Sequence, residues 1–191
     1  SSPYGNSLTI TGPTWSQTQG SAIRSNNLKF DGSNDYLIRS TDSDFDFGTG
    51  DFSISGWYRH PSSVSGTDTI LARYGSAGYK VYMNSSGYIC FDIDGDSTWT
   101  PGDSACDTAT TADSKWHHFE AVKSGVASIT LYIDGRLAGQ DATIAATGTL
   151  NTGSSLYLGI DSDGTSNPWD GFLDEVFVYP YARSAAQVKA D

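Results

Sequence analysis

The sequence predicts an all-β chain, two antiparallel sheets packed face to face, and three observations carry that prediction. Apolar and small polar residues alternate with period two in many short runs, as strands do when they bury one face. The runs are separated by Gly, Asp, Asn and Ser, and the 21 Gly residues supply the backbone freedom that turns require. Of the 22 acidic residues only Glu120 and Glu175 are Glu, whereas helical chains favour Glu over Asp. About a dozen short strands without βαβ spacing lead to a sandwich.

The early strands read at residues 8–11, 28–30 and 36–39. Residues 52–58, Phe-Ser-Ile-Ser-Gly-Trp-Tyr, alternate large apolar with small side chains, as a half-buried strand does. Further strands read at 69–74, 79–84 and 88–93, and then at 116–123 and 129–133. Asp134-Gly135 is a two-residue hairpin turn, because Gly accepts positive φ, and the chain returns along 136–138. The last strands read at 156–160 and 172–179. Ser184-Ala185-Ala186-Gln187 has capping-box spacing and predicts a short C-terminal helical turn. Residues 94–113 are the longest irregular stretch, and long loops on rigid sandwiches tend to carry function.

The 191 residues fit one domain, 1–191, with residues 1–20 as a candidate N-terminal arm. A chain of this size buries roughly 70% of its unfolded surface, so the core needs no staple. No apolar run approaches the ~20 residues that span a bilayer, which excludes a membrane-inserted helix. The opening Ser1-Ser2-Pro3-Tyr4-Gly5 has neither an initiator Met nor a signal-sequence pattern, which fits a removed leader or a piece of a longer protein. The formal net charge of −11 argues against nucleic acid and against anionic membrane as partners. Cys90 and Cys106 either bridge a 17-residue loop or remain two buried thiols. The bridge is worth roughly 3 kcal/mol and implies an oxidising compartment. Asn84-Ser85-Ser86 is a glycosylation sequon in a host with that machinery.

Four segments, in order, resemble a known family. Leu28 to Leu37 contains Phe30-Asp31-Gly32-Ser33-Asn34-Asp35-Tyr36, similar to the opening "FDG-x-x-D-Y" of laminin-G-like domains. Gly50-Asp51-Phe52-Ser53-Ile54-Ser55-Gly56-Trp57 resembles the next signature strand. Trp116-His117-His118-Phe119 with Leu131-Tyr132-Ile133-Asp134-Gly135 resembles the central hairpin, and Gly171 to Tyr179 the closing "G-x-x-D-E-V-x-x-Y" strand. The resemblance, to the laminin-G-like and concanavalin A-like lectin/glucanase jelly-roll family, implies a jelly-roll sandwich, a secreted or surface setting and frequent Ca²⁺. It implies architecture more firmly than ligand.

The aspartates suit Ca²⁺, which takes six to eight oxygens from carboxylates, carbonyls and water in short turns. The first candidate set is Asp31 and Asp35 with Asp174, which the resemblance brings together. The others are Asp94 and Asp96, preceded by Asp92, around Gly95, and Asp161 and Asp163 beside Gly164. Against each stands the reading of a solvated turn whose carboxylates bond local amides. Sugar recognition needs aromatic faces and planar polar groups. Trp99, Trp169, Asn167, Tyr74 and Tyr79 are the candidates, with covering a sheet end as the alternative role of the two tryptophans. Trp57 and Trp116 sit on core-type strands and read as packing.

No catalytic constellation stands out. Glu120 and Glu175 lie far apart in sequence and outside the Glu-x-Asp-x-x-Glu pattern of related glucanases, where two carboxyls about 5–5.5 Å apart do retaining hydrolysis. His117 and His118 are neighbours on one strand and point to opposite faces. The expected function is non-catalytic extracellular recognition or adhesion, binding glycan or glycoconjugate with Ca²⁺ organising the loops. The alternative is a structural subunit of an extracellular filament, fibre or surface layer, self-associating through strand edges or a donated segment within residues 1–20. A glycoside hydrolase is the third reading.

Overall fold

Period-two alternation resolves into two seven-stranded antiparallel sheets in the computed structural model, which describes residues 7–16, 26–96 and 98–189. Strands are numbered in chain order. The first sheet runs β1 (Thr9–Thr11), β4 (Tyr36–Arg39), β13 (Leu156–Leu158), β6 (Asp68–Tyr74), β7 (Gly78–Met83), β8 (Ile89–Asp94) and β9 (Asp103–Cys106). The second runs β12 (Arg136–Asp141), β11 (Ser128–Ile133), β10 (Trp116–Ser124), β5 (Phe52–Arg59), β14 (Asp170–Tyr179), β3 (Asn27–Asp31) and β2 (Thr14–Ser16). The inner faces meet in one core, where Phe52 stacks on Phe47 at 4.6 Å and lies near Tyr79 at 4.9 Å. The all-β jelly-roll class read from the sequence is the fold observed.

Local chemistry explains the joints. Asp134 and Gly135 both take positive φ, 50° and 71°, so the β11–β12 turn twists with its strands. Ser184 accepts from the Gln187 amide, and the Gln187 side chain returns to the Ser184 amide. This capping box starts α1 (Ala185–Val188). Gly12 has φ 89°, and a Cβ there would stand 1.9 Å from Asp35 Oδ1, so only glycine lets the chain pass from β1 toward β2.

Two expectations change. Residues 94–113 are not wholly irregular, because β9 lies within them and pairs with β8. Its sequence, Asp-Ser-Ala-Cys, has little strand propensity, and what places it is the Cys90–Cys106 disulfide between directly paired residues, with Cα atoms 4.0 Å apart. The candidate N-terminal arm holds two strands where one was read: β1 pairs with β4 of the first sheet and β2 with β3 of the second. Residues 9–11 and 14–16 therefore pair within this chain along one side each, as edge strands of the two sheets; residues 1–6 and 17–20 of that arm lie outside the described residues.

Candidate functional site on the outer face of the first sheet

On β7, Tyr79, Val81 and Met83 face the core; on β8, Ile89, Phe91 and Ile93 do the same. Alternation then turns Lys80, Tyr82, Asp92 and Asp94 to the other side. Cross-strand register lines up Tyr157, Ala72, Lys80, Asp92 and Ser104 as one row across that outer face. The 161–167 loop comes down beside it. Asp161 Oδ1 accepts from Lys80 Nζ at 2.6 Å and from Thr69 Oγ1 at 2.7 Å, and Oδ2 accepts from the Asn167 side-chain amide at 2.6 Å. Lys80 Nζ also lies 4.8 Å from the centre of the Tyr82 ring.

An aromatic pair stands at the rim. Trp99 stacks on Tyr74 with ring centroids 4.0 Å apart and planes 10° apart, and both rings are partly exposed. The Tyr74 amide donates to Ser162 Oγ at 2.8 Å. Burial, then the Asp161 carboxylate, push the Tyr74 phenol well above its ordinary pKa, so the ring presents a neutral hydroxyl. Tyr36 and Tyr157 form a second, edge-on pair at 5.8 Å further along the face. Asp92 is buried, with 7% of its surface exposed. Burial raises its pKa against the opposing Ser104 and Tyr82 hydroxyls and the Lys80 ammonium, and its Oδ1 has no hydrogen-bond partner among the described residues. Partly exposed rings around a short polar row are what a sugar face requires: apolar C–H surface for the rings, hydroxyls for the polar groups.

Of the sequence-predicted ligand residues, Trp99, Tyr74 and Asn167 meet here, Asn167 as the φ 51° residue that ties the loop to Asp161. Tyr79 and Trp169 do not. Both are fully buried, Tyr79 with its hydroxyl on the Phe45 carbonyl at 3.2 Å. Trp169 packs edge-on against Tyr58 at 6.0 Å and against the His60 ring at 5.1 Å. Trp169 follows a loop rich in turn residues, yet alternation along β14 points inward where that strand begins. Trp57 and Trp116 do pack, Trp57 against the His118 ring at 5.1 Å and Trp116 against Phe172 at 6.2 Å, on the partly exposed outer face of the second sheet. Lys80, Tyr82, Ser104, Tyr36 and Tyr157 were missed; the signal was present as Tyr-Lys-Val-Tyr and Phe-Asp-Ile, where one polar face opposes the core.

The aspartates do local work. Asp35 accepts from the Asp31 amide at 2.9 Å and Asp31 from the Ser33 amide at 2.9 Å. The β3–β14 register sets Asp170, not Asp174, opposite Asp31; Asp174 pairs with Trp57 on β5. Asp94 accepts from the amides of Asp96 and Thr100 at 3.0 and 2.8 Å, and Asp96 from that of Thr98 at 2.7 Å. Asp163 accepts from the Thr165 and Ser166 amides, and these, with the Ser166 hydroxyl, hold its pKa down to about 2 against burial. Among the described residues no three His, Cys, Asp or Glu side chains converge as a metal-ion set. Asn84 turns its carbonyl onto the Ser86 and Tyr88 amides and its amide toward Cys90 Sγ, so the sequon side chain closes the β7–β8 hairpin. Glu120 and Glu175, distant in sequence, flank the same strand: Glu120 pairs with Ser55, and the β14 bulge holding Glu175 lies between Ser55 and Trp57. Glu120 is fully buried and paired with Arg183 at 2.8 Å, so it is shielded from solvent.

Both ring nitrogens of buried His60 meet acceptors, the Pro61 carbonyl at 2.8 Å and Asp68 Oδ2 at 2.6 Å. Burial lowers its pKa, but the Asp68 and Pro61 bonds outweigh it and the net shift is upward. A raised folded pKa means stability that is complete below the unfolded value of about 6.5 and is lost as pH rises through the folded value. Thermal melts from pH 5 to 9 are expected to fall above that point in the parent chain and to fall less in His60→Asn. Parallel curves would show that the imidazolium adds nothing.

The family model for the concanavalin A-like lectin/glucanase superfamily matches residues 31–189. No curated protein matches the chain in sequence. Among solved structures, the binding domain of paraclostridial mosquitocidal protein 1 superposes with TM-score 0.79 at 17% identity, covering 98% of this chain and 47% of that one. The botulinum neurotoxin serotype C1 binding domain gives 0.73 at 13% identity, covering 98% and 47%. The serotype D ligand-binding domain in complex with N-acetylneuraminic acid gives 0.74 at 14%, covering 98% and 46%. This chain thus spans about half the length of these binding domains, and at such identities they share its fold alone. With the strand pattern, the sheet order and 159 matched residues in agreement, the chain belongs to the concanavalin A-like lectin/glucanase superfamily.

Proposed function

We propose that the chain is a non-catalytic carbohydrate-recognition module that binds glycan on the outer face of its first sheet. The carrying observation is the Tyr74–Trp99 stack standing beside the Lys80–Asp92 row, an aromatic wall next to hydrogen-bonding groups. Two structural neighbours, a botulinum neurotoxin DC binding domain with SialylT and the serotype D domain with N-acetylneuraminic acid, hold sugar ligands somewhere in chains twice this length. They support the class of ligand and not its identity. The Cys90–Cys106 disulfide supports an extracellular setting, where such bonds persist. The burial and pairing of Glu120 favour binding over hydrolysis.

A broad glycan array, run once with CaCl₂ and once with EDTA, tests the reading. Saturable binding is expected, and Trp99→Ala should weaken it by about tenfold or more, the scale of one lost ring contact in a pocket. Calcium belongs to the proposal as a dependence to be measured. Loss with EDTA shows that binding needs a cation; retention leaves the amide, hydroxyl and ammonium contacts of the site sufficient. Binding to no glycan in either condition overturns the reading and favours a structural subunit, for which electron microscopy of concentrated protein would show ordered polymers.

A further inference from the structure

The charge on this face selects among sugars. Resting on the carbohydrate reading above, we propose that the site takes an uncharged pyranose through neighbouring hydroxyls, with Asp92 Oδ1 as acceptor and Lys80 Nζ as donor, and that it rejects acidic sugars such as sialic acids and uronates.

Three observations lead there. Among the described residues Asp92 Oδ1 is a buried carboxylate oxygen without a hydrogen-bond partner, the Ser104 and Tyr82 hydroxyls notwithstanding, and a buried acceptor left unmatched is costly. Lys80, directly opposite Asp92 on the neighbouring strand, has three ammonium donors, and its ion pair with Asp161 Oδ1 occupies one of them. A donor beside an acceptor on adjacent strands matches two hydroxyls on adjacent ring carbons, one accepting and one donating. An acidic sugar meets a different field. The one ammonium is already neutralised by Asp161, while Asp92 and Asp94 add negative charge to the same face, on a chain of net charge −11. A carboxylate brought there faces like charges in a partly desolvated setting, where repulsion is weakly screened.

Asp92 Oδ1 is shielded from solvent, so a ligand reaches it only if part of the rim yields.

The test is calorimetric titration of the intact chain with lactose, maltose, cellobiose and mannobiose, set against sialyllactose and digalacturonate. At least one neutral disaccharide is expected to bind at least tenfold more tightly than either acidic ligand. Asp92→Ala should lower that affinity by tenfold or more, the scale of a lost charged hydrogen bond. Asp92→Asn, which preserves shape and removes the charge, carries the test if the alanine variant does not fold. It should weaken the neutral ligand and narrow the gap to sialyllactose. Acidic ligands binding as well as neutral ones overturn this inference and leave carbohydrate recognition standing. Neutral binding that survives both Asp92 variants within twofold overturns the assignment to this row. Silence from every disaccharide together with a blank array removes the carbohydrate reading itself.

Discussion

Replacing Arg73 with Met is expected to cost about 3–5 kcal/mol of stability, the range for removing one partner from a buried charged network. The guanidinium is fully buried, and Nη1 donates to the Phe45 carbonyl at 2.7 Å and to Asp46 Oδ1 at 2.6 Å. Nη2 donates to the carbonyls of Asp42 and Thr152 at 3.3 and 3.1 Å. One β6 side chain thus holds the 42–46 turn and the loop before β13 against the sheet. The Met variant keeps the apolar stem and leaves those acceptors without their donor. For a domain of this size the loss corresponds to a fall in melting temperature of roughly 6–20 °C. Arg73→Lys should recover only part of it, because an ammonium lacks the planar fork that serves two loops at once. A loss below about 1 kcal/mol in the Met variant would mean that the two loops hold themselves.

Trp169→Ala should cost a similar 3–5 kcal/mol, from lost transfer energy and the cavity left among Tyr58, His60 and the surrounding core. Its indole Nε1 is buried with no acceptor among the described residues. Trp169→Phe therefore gives up some volume and also deletes an unmatched donor, and is expected to cost clearly less than the alanine change. Denaturant unfolding of the three proteins separates the two contributions. Equal losses for Ala and Phe would place the energy in the indole N–H. Because Trp169 faces the core, its variants should bind any array ligand as the parent does while folded, whereas Trp99→Ala should lose binding and keep its melting temperature. That contrast distinguishes two tryptophans that look alike in sequence, each set among turn residues.

The difference between them shows where a sequence stops being informative. The strands, the Asp134-Gly135 turn and the capping box at Ser184 are local, each set by dihedral preference, alternation or a side chain reaching three residues along. All three were legible, and with them the sandwich and its family. The four motifs from Leu28 to Tyr179 are likewise runs of neighbours. Strand β9 was not legible, because small residues with low strand propensity pair only when a disulfide and β8 hold them there. Nor was the partner of Asp31, since only the strand pairing decides whether Asp170 or Asp174, four residues further along β14, stands opposite it.

The site belongs to the second kind. Tyr74 and Trp99 are 25 positions apart, and Lys80 and Asp161 are 81 apart. Alternation decides that Lys80, Tyr82 and Asp92 share a face, but which loops descend on that face depends on the connections between sheets. The amino-acid sequence by itself determined an acidic, turn-rich, two-sheet jelly roll with one face of each strand apolar. Only the tertiary structure decided that Asp161 would meet an ammonium, that Trp169 would be core and Trp99 rim, and that one buried carboxylate oxygen would lack a partner. Those outcomes rest on contacts between residues far apart in the chain, which no local propensity encodes.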